Sequence, residues 1–294
     1  MKLTIPHGEV PNILLIGNGI NRAFNFLSWS ELLNDIASPE KKGLKLDNVP
    51  APLQAVILTD DNVDVRLKEI SPKLVDMKAS DDEEIMLKQF ANLPFDAILT
   101  ANYSYELEKS VCKEFKLSSG RSSKYRKVTN FESKSFVRDN LCTYFELPSF
   151  DKPIWHIHGE AGKTKTMILG HYYYGKMLSN MNAYLPALIS RYKSAQSSGR
   201  DFECRSWIDY FLIGNITIVG LGLNLSELDL WWLVNAKKRR FSDTKITFYK
   251  PDISTEEELL AETYGVKVIK GDFDGDYIKY YEKLIRELEK GEKL

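Results

Sequence analysis

NILLIGNGIN, Asn12 to Asn21, decides how this chain is read. A short run of branched apolar residues ends on a glycine, and a second glycine follows two positions later. Without alternating polar positions, such a run is the pattern of a strand buried on both faces. Beyond it, Ile20, Ala23, Phe24 and Leu27, then Leu32, Leu33 and Ile36, recur at helical spacing. This predicts two short helices broken near Ser28. Strand, glycine turn and helix in that order open an α/β fold.

The rest of the chain repeats the theme. FDAILT (95–100), PIWHI (153–157), KTMILG (165–170), NITIVGLG (215–222), KITFYK (245–250) and VKVIKG (266–271) read as strands. Helical patterns cover 103–115, much of 171–213, 226–240 with Ser226 as N-cap, 255–264 and 276–290. Prolines at 39, 50, 52 and 72 punctuate a helical insertion over 39–94, including a helix near 82–92. Residues 117–140, rich in Ser, Lys and Arg, read as an exposed excursion. The expected fold is therefore α/β, a Rossmann-like parallel sheet with helices on both faces and helical insertions. The expected organisation is one domain over 1–294, with a core of about 10–38, 95–170 and 214–294 and insertions of about 39–94 and 171–213.

Composition narrows the partners. A formal net charge of −1 gives no bulk attraction to nucleic acid or anionic lipid. The basic run Lys237, Lys238, Arg239, Arg240 suits the C-terminal end of a helix, where cations face the negative end of the macrodipole. Cys112, Cys142 and Cys204 stand far apart with no CxxC pair, which excludes a cysteine zinc module and fits a reducing cytoplasm. The N-terminal MKLTIPHGEV has no apolar signal core. WIDYFLIGNITIVGLGL from Trp207 is broken by Asp209, Gly214 and Asn215, so it reads as helix end, turn and strand, not as a membrane span.

In parallel sheets, ligands bind beyond the carboxyl ends of the strands. Four polar or glycine-rich stretches fall there: GNGIN (17–21), TANY (100–103), HGE (158–160) and GLGLN (220–224). GNGIN can bring backbone close to a diphosphate, with a helix N-terminus behind it. Arg22 occupies the third glycine position of GxGxxG, and a plain strand-to-helix turn is the simpler alternative. Asp35 lies in a helical pattern with no following strand, which disfavours a hydride-transfer enzyme. Asn102 can orient a ribose hydroxyl or a water, or can cap a turn; Thr100 has the same capping alternative. His158 lies at the strand end against Gly159, where an imidazole can move a proton. His156, on the same side two residues back, reads as a supporting residue, and Glu160 as a solvated one. An HxH pair without a third nearby ligand does not make a metal site.

The ordered set GNGIN, TANY, IHGE and IVGLGLN leading into a helix resembles the sirtuin-like family, within it the divergent bacterial branch that hydrolyses NAD in anti-phage defence. The similarity covers roughly 12–38, 95–175 and 214–271, and ILGHYYYGKM after IHGE is similar to that branch as well. The resemblance implies that Gly17, Asn18, Gly19, Ile20 and Asn21, with Thr100, and Gly220, Leu221, Gly222 and Asn224 hold the dinucleotide. It implies that Asn102 holds the nicotinamide ribose or the attacking water and that His158 is the catalytic histidine. The two-CxxC zinc module of the deacetylase branch is missing, and NRAFNFLSW stands where that branch has an Asp-Phe-Arg loop. Both departures disfavour deacylation.

The resemblance thus leads to the expectation of an NAD glycohydrolase that releases ADP-ribose and nicotinamide, needs no metal, and serves abortive infection. Such an activity needs gating, by an activating protein partner or by homo-oligomer assembly, with 39–94 and 171–213 as contact surfaces. No direct nucleic-acid or membrane partner is expected. The alternative is a non-hydrolysing module that binds NAD or ADP-ribose and regulates a partner complex; a protein deacylase comes third.

Overall fold

The computed structural model describes residues 3–117, 126–128, 141–148 and 150–290. After a short strand β1 (Thr4–Ile5), the order is β2 (Asn12–Ile16), α1 (Gly19–Ala23), α2 (Trp29–Ile36), α3 (Ala51–Leu58), α4 (Val63–Asp76), α5 (Asp81–Asn92), β3 (Ala97–Thr100) and α6 (Glu106–Val111). Then follow β4 (Arg126–Val128), β5 (Thr143–Phe145), β6 (Ile154–His156), α7 (His171–Ser197), β7 (Phe202–Glu203) and α8 (Trp207–Ile213). The chain continues with β8 (Asn215–Val219), α9 (Leu228–Arg240), β9 (Ile246–Tyr249), α10 (Thr255–Thr263), β10 (Val266–Ile269) and α11 (Tyr277–Glu289).

The main sheet has the strand order β10-β9-β8-β2-β3-β6-β5-β4. Strands β10 through β6 are parallel, and β5 and β4 continue the edge antiparallel. The fold is mixed α/β with a mostly parallel sheet, compatible with a Rossmann-like arrangement. From β2 the chain winds out through β3 and β6, then returns to the other side of β2 at β8. That reversal creates a switch point, and the crevice at the carboxyl ends of β2 and β8 is where such sheets bind ligands.

Burial explains the central strands. Ile13, Leu14, Leu15 and Ile16 are almost fully enclosed. Ile13 and Leu15 join one core beside α7, α8 and α9, while Leu14 and Ile16 join the other beside α2, α4, α5 and α11. Local signals set the helix starts. The Ser28 hydroxyl accepts from the Glu31 amide, and the Glu31 carboxylate accepts from the Ser28 amide at 2.7 Å. This capping box splits α1 from α2 where the spacing predicted a break. The same device starts α5, α8 and α10.

Several expectations are corrected. Residues 165–170 form no strand. They finish a 3-10 turn (Ala161–Thr166) and then run irregularly, and Met167, Ile168 and Leu169 are apolar because they fill the core. The helix expected over 103–115 covers only Glu106–Val111, because Tyr103 and Tyr105 insert inward from the preceding loop. Helix α9 starts at Leu228 after Glu227, with no side-chain cap from Ser226. Strand β7 interrupts the helical stretch 171–213, and β1 and β5 had not been expected. The excursion at 117–140 lies outside the described residues apart from Leu117 and β4. Among the described residues, no helix is long and apolar enough to cross a membrane.

Candidate functional site at the switch point

A cleft of about 510 Å³ opens at the carboxyl ends of β2, β3, β8 and β9. Asn18, Gly19, Asn102, His158, Gly220, Leu221, Gly222 and Asn224 all line it. Four separate sequence stretches, chosen for their strand ends, therefore share one cavity.

The two glycine turns touch. The Gly17 amide donates to the Val219 carbonyl at 3.0 Å, and the Gly19 amide donates to the Gly220 carbonyl at 2.6 Å. A Cβ on either Gly17 or Gly19 would stand 2.6 Å from that Gly220 oxygen. Gly220 itself has φ +65°, a conformation that favours glycine. These two amides are thus engaged within the protein, and α1 is only five residues long. That alters the expected anion site: the positive charge near the loop comes from the Arg22 side chain, which lines the cleft. The Asn18 carboxamide donates to the Leu27 carbonyl at 2.7 Å and ties the loop to the segment before α2.

Gly17, Ile20, Asn21 and Thr100 are not among the lining residues. They stand behind the cleft wall. Ile20 is core, and Asn21 is 1% exposed with neither amide atom hydrogen-bonded among the described residues. The Thr100 hydroxyl accepts from the Asn102 amide at 3.1 Å, which shapes the turn that presents Asn102.

The two histidines divide their work. His156 is buried; its Nδ1 donates to the Asn102 carbonyl and its Nε2 meets Glu108 Oε1, both at 2.7 Å. Burial alone would push its pKa down, but Glu108 beside it leaves the pKa raised, and the two contacts hold the Asn102 turn. His158 lines the cleft, and its Nε2 lies 2.9 Å from Asp229 Oδ2. Burial disfavours its charge, but Asp229, with Glu227 adding, lifts it to about 8. Gly159, at φ +89°, makes the sharp turn after it; a Cβ there would lie 2.1 Å from the Thr166 carbonyl oxygen. Glu160 is not solvated: it is buried, and accepts a hydrogen bond from the Tyr105 hydroxyl at 2.8 Å.

Sequence reasoning missed Asp229, Glu227 and Tyr174. Glu227 and Tyr174 line the cleft, and the Tyr174 ring lies edge-on 5.9 Å from that of His158. Burial and the nearby Asp229 raise the Glu227 carboxyl to about 7, against the lowering pull of His158. The available signal was two acids at the start of α9, Glu227 at its N-cap position and Asp229 in its first turn. Donor atoms of His158, Glu227 and Asp229 all lie within 4.8 Å of one another. Such a set could hold a metal ion, and within it Nε2 and Oδ2 are already engaged with each other. Comparison with protein-family models and with curated proteins finds no match for this chain.

Proposed function

We propose that this chain is a sirtuin-like NAD glycohydrolase, which cleaves the bond between nicotinamide and ribose to give ADP-ribose and nicotinamide. One observation carries the reading: the Asn102 turn and the His158 imidazole line the same cleft as the paired glycine turns. Nicotinamide leaves as a neutral molecule from a cationic ring, so its departure needs no protonation. The chain's task is to orient the ribose and stabilise an oxocarbenium-like centre. Asn102 has a carboxamide with no hydrogen bond among the described residues, suited to a ribose hydroxyl or a water. His158 accepts the proton, a role worth roughly 10²–10⁴-fold in rate. Arg22 suits the diphosphate.

The activity is a gated effector that depletes NAD in anti-phage defence within the cytoplasm. The gate is a protein partner or self-assembly. Leu44, Leu53, Ile57, Val65, Ile85 and Tyr172 are exposed apolar side chains on the insertions 39–94 and 171–213, which supports those surfaces as contacts.

The test is incubation with NAD, with and without the products of neighbouring genes, followed by detection of ADP-ribose. His158→Ala and Asn102→Ala are expected to abolish NAD loss. Undiminished turnover by both variants overturns the assignment. Binding without turnover under every condition points to a regulatory NAD-binding module, and acyl-ADP-ribose formed with an acylated peptide points to a deacylase.

A further inference from the structure

The buried carboxylate on α9 gives the cleft a component that the glycine, asparagine and histidine motifs do not supply. Asp229 is 0% exposed, and its Oδ2 contacts His158 Nε2 at 2.9 Å. Its other oxygen, Oδ1, has no hydrogen-bond partner among the described residues. A carboxylate that has lost its water and holds one imidazole binds strongly to that imidazole's proton.

We propose that Asp229 is a positioning residue for His158: it fixes the Nε2–H tautomer, so that Nδ1 is the atom that accepts a proton in the cleft. This rests on the NAD-cleaving reading for its chemistry, though not for its geometry. Among the described residues, the Nε2 contact with Asp229 is the hydrogen bond that the His158 ring makes, which leaves Nδ1 with its lone pair. In the reaction, the oxygen of water bonds to the ribose C1′ as the C1′–nitrogen bond breaks. The electron pair of the broken bond goes to the nicotinamide nitrogen and neutralises it. The water's proton passes to Nδ1, and Asp229 then faces the resulting imidazolium as its countercharge.

The groups around the ring fit this assignment. Asp229 faces it from α9, Glu227 from the turn before α9, and Tyr174 from α7, with Tyr103 close to Tyr174. Burial lifts the Tyr174 hydroxyl well above its usual range, so it stays neutral. Glu227, raised to about 7, carries at most part of a charge near neutrality. Asp229 is the carboxylate in direct contact with the imidazole.

The experiment is nitrogen NMR of the histidines in the full chain, which has four, with His158 assigned by its loss in His158→Gln. The wild-type spectrum alone tests the geometry: the neutral ring is expected as the Nε2–H tautomer, and a predominant Nδ1–H tautomer overturns the proposal. In Asp229→Asn, the His158 midpoint is expected to fall by at least about one pH unit and the tautomer to become mixed. An unchanged midpoint and tautomer also overturn it. With NAD turnover in hand, Asp229→Asn is expected to lower kcat roughly 10–10²-fold with KM nearly unchanged, and to move the acidic limb of the pH profile downward. A purely structural role would lower activity without moving that limb. Activity abolished by a chelator and restored by a divalent cation would overturn the proton role. If the His158 midpoint shifts as expected but no condition yields ADP-ribose, the glycohydrolase reading falls while the positioning role stands.

Discussion

The amide of Gly19 and the carbonyl of Gly220 are joined by a hydrogen bond of 2.6 Å, so two turns far apart in sequence form one rigid seam. Backbone stands on both sides of it and has little room to yield. Gly19→Ala is therefore expected to force the seam apart, costing about 1–3 kcal/mol and abolishing nucleotide binding. Gly222→Ala is the control for stability, since a Cβ there meets only the Asn224 side chain, at 3.5 Å or beyond. Denaturant melts and titration calorimetry with ADP-ribose check both. Equal stability of the two variants would refute the seam.

His156 and His158 are expected to differ in kind. His156 bridges the Asn102 carbonyl and Glu108, and Glu108 is fully buried. His156→Leu leaves that carboxyl without its partner and frees the Asn102 turn. Such broken buried pairs cost about 3–5 kcal/mol. Activity should vanish together with stability, whereas His158→Gln, whose carboxamide can still donate to Asp229, should lose activity with a smaller change in melting temperature. Thermal melts of the two variants side by side decide it.

The acids between α5 and α6 predict a pH dependence of stability. Glu106 is 1% exposed, and burial lifts its carboxyl to about 7, despite the Ser104 hydroxyl hydrogen-bonded at 2.7 Å. Glu83, raised to about 7 by burial with Glu106 adding, packs beside it. A carboxyl with a raised folded pKa holds its proton more tightly in the native state. Its contribution is fully present below the unfolded value of about 4.3 and is lost as pH climbs through about 7. Stability should fall between pH 5 and about 7, and Glu106→Gln should flatten the slope. Urea melts across that range provide the check; an unchanged slope in Glu106→Gln would contradict the assignment.

Lys237 carries a further prediction. It belongs to the basic run at the C-terminal end of α9, yet it is 1% exposed. Its ammonium donates to the Leu212 carbonyl at 2.9 Å, to the Gly214 carbonyl at 2.6 Å and to the Thr244 hydroxyl. It therefore closes the C-terminal end of α8. Lys237→Met should destabilise by about 2–4 kcal/mol by stripping those oxygens of a donor. The exposed Arg240→Met should stay within about 0.5 kcal/mol. Chemical denaturation measures both, and similar values for the two would show that the buried ammonium holds nothing.

The strands that build the switch point were legible because full burial writes an unbroken apolar run, as in NILLI and AILT. The break at Ser28 was legible in the apolar spacing, but the capping boxes at Ser28 and Ser254 were not read, and Ser226, read as a cap, makes none. MILG was misleading for the same reason: core-filling loops and strands share one composition, and only backbone pairing separates them. Asn102 and His158 could be singled out because they end strands. Asp229 could not, because nothing local in ELDL says that its third residue points at an imidazole 71 positions earlier. Glu160 was read as solvated because charge is usually exposed; it is buried, and its partner Tyr105 lies far away in sequence.

The seam between Gly17 and Gly220 also bears on when the cavity comes into being. Asn18, Asn102 and His158 are synthesised well before β8 and α9, so a chain still emerging from the ribosome carries the histidine but neither its carboxylate nor the opposing turn. Strand β8 must slot beside β2 before any dinucleotide could be gripped. A site built this way is complete only once β8 and α9 are in place, and a product truncated before them lacks both the carboxylate and the second glycine turn.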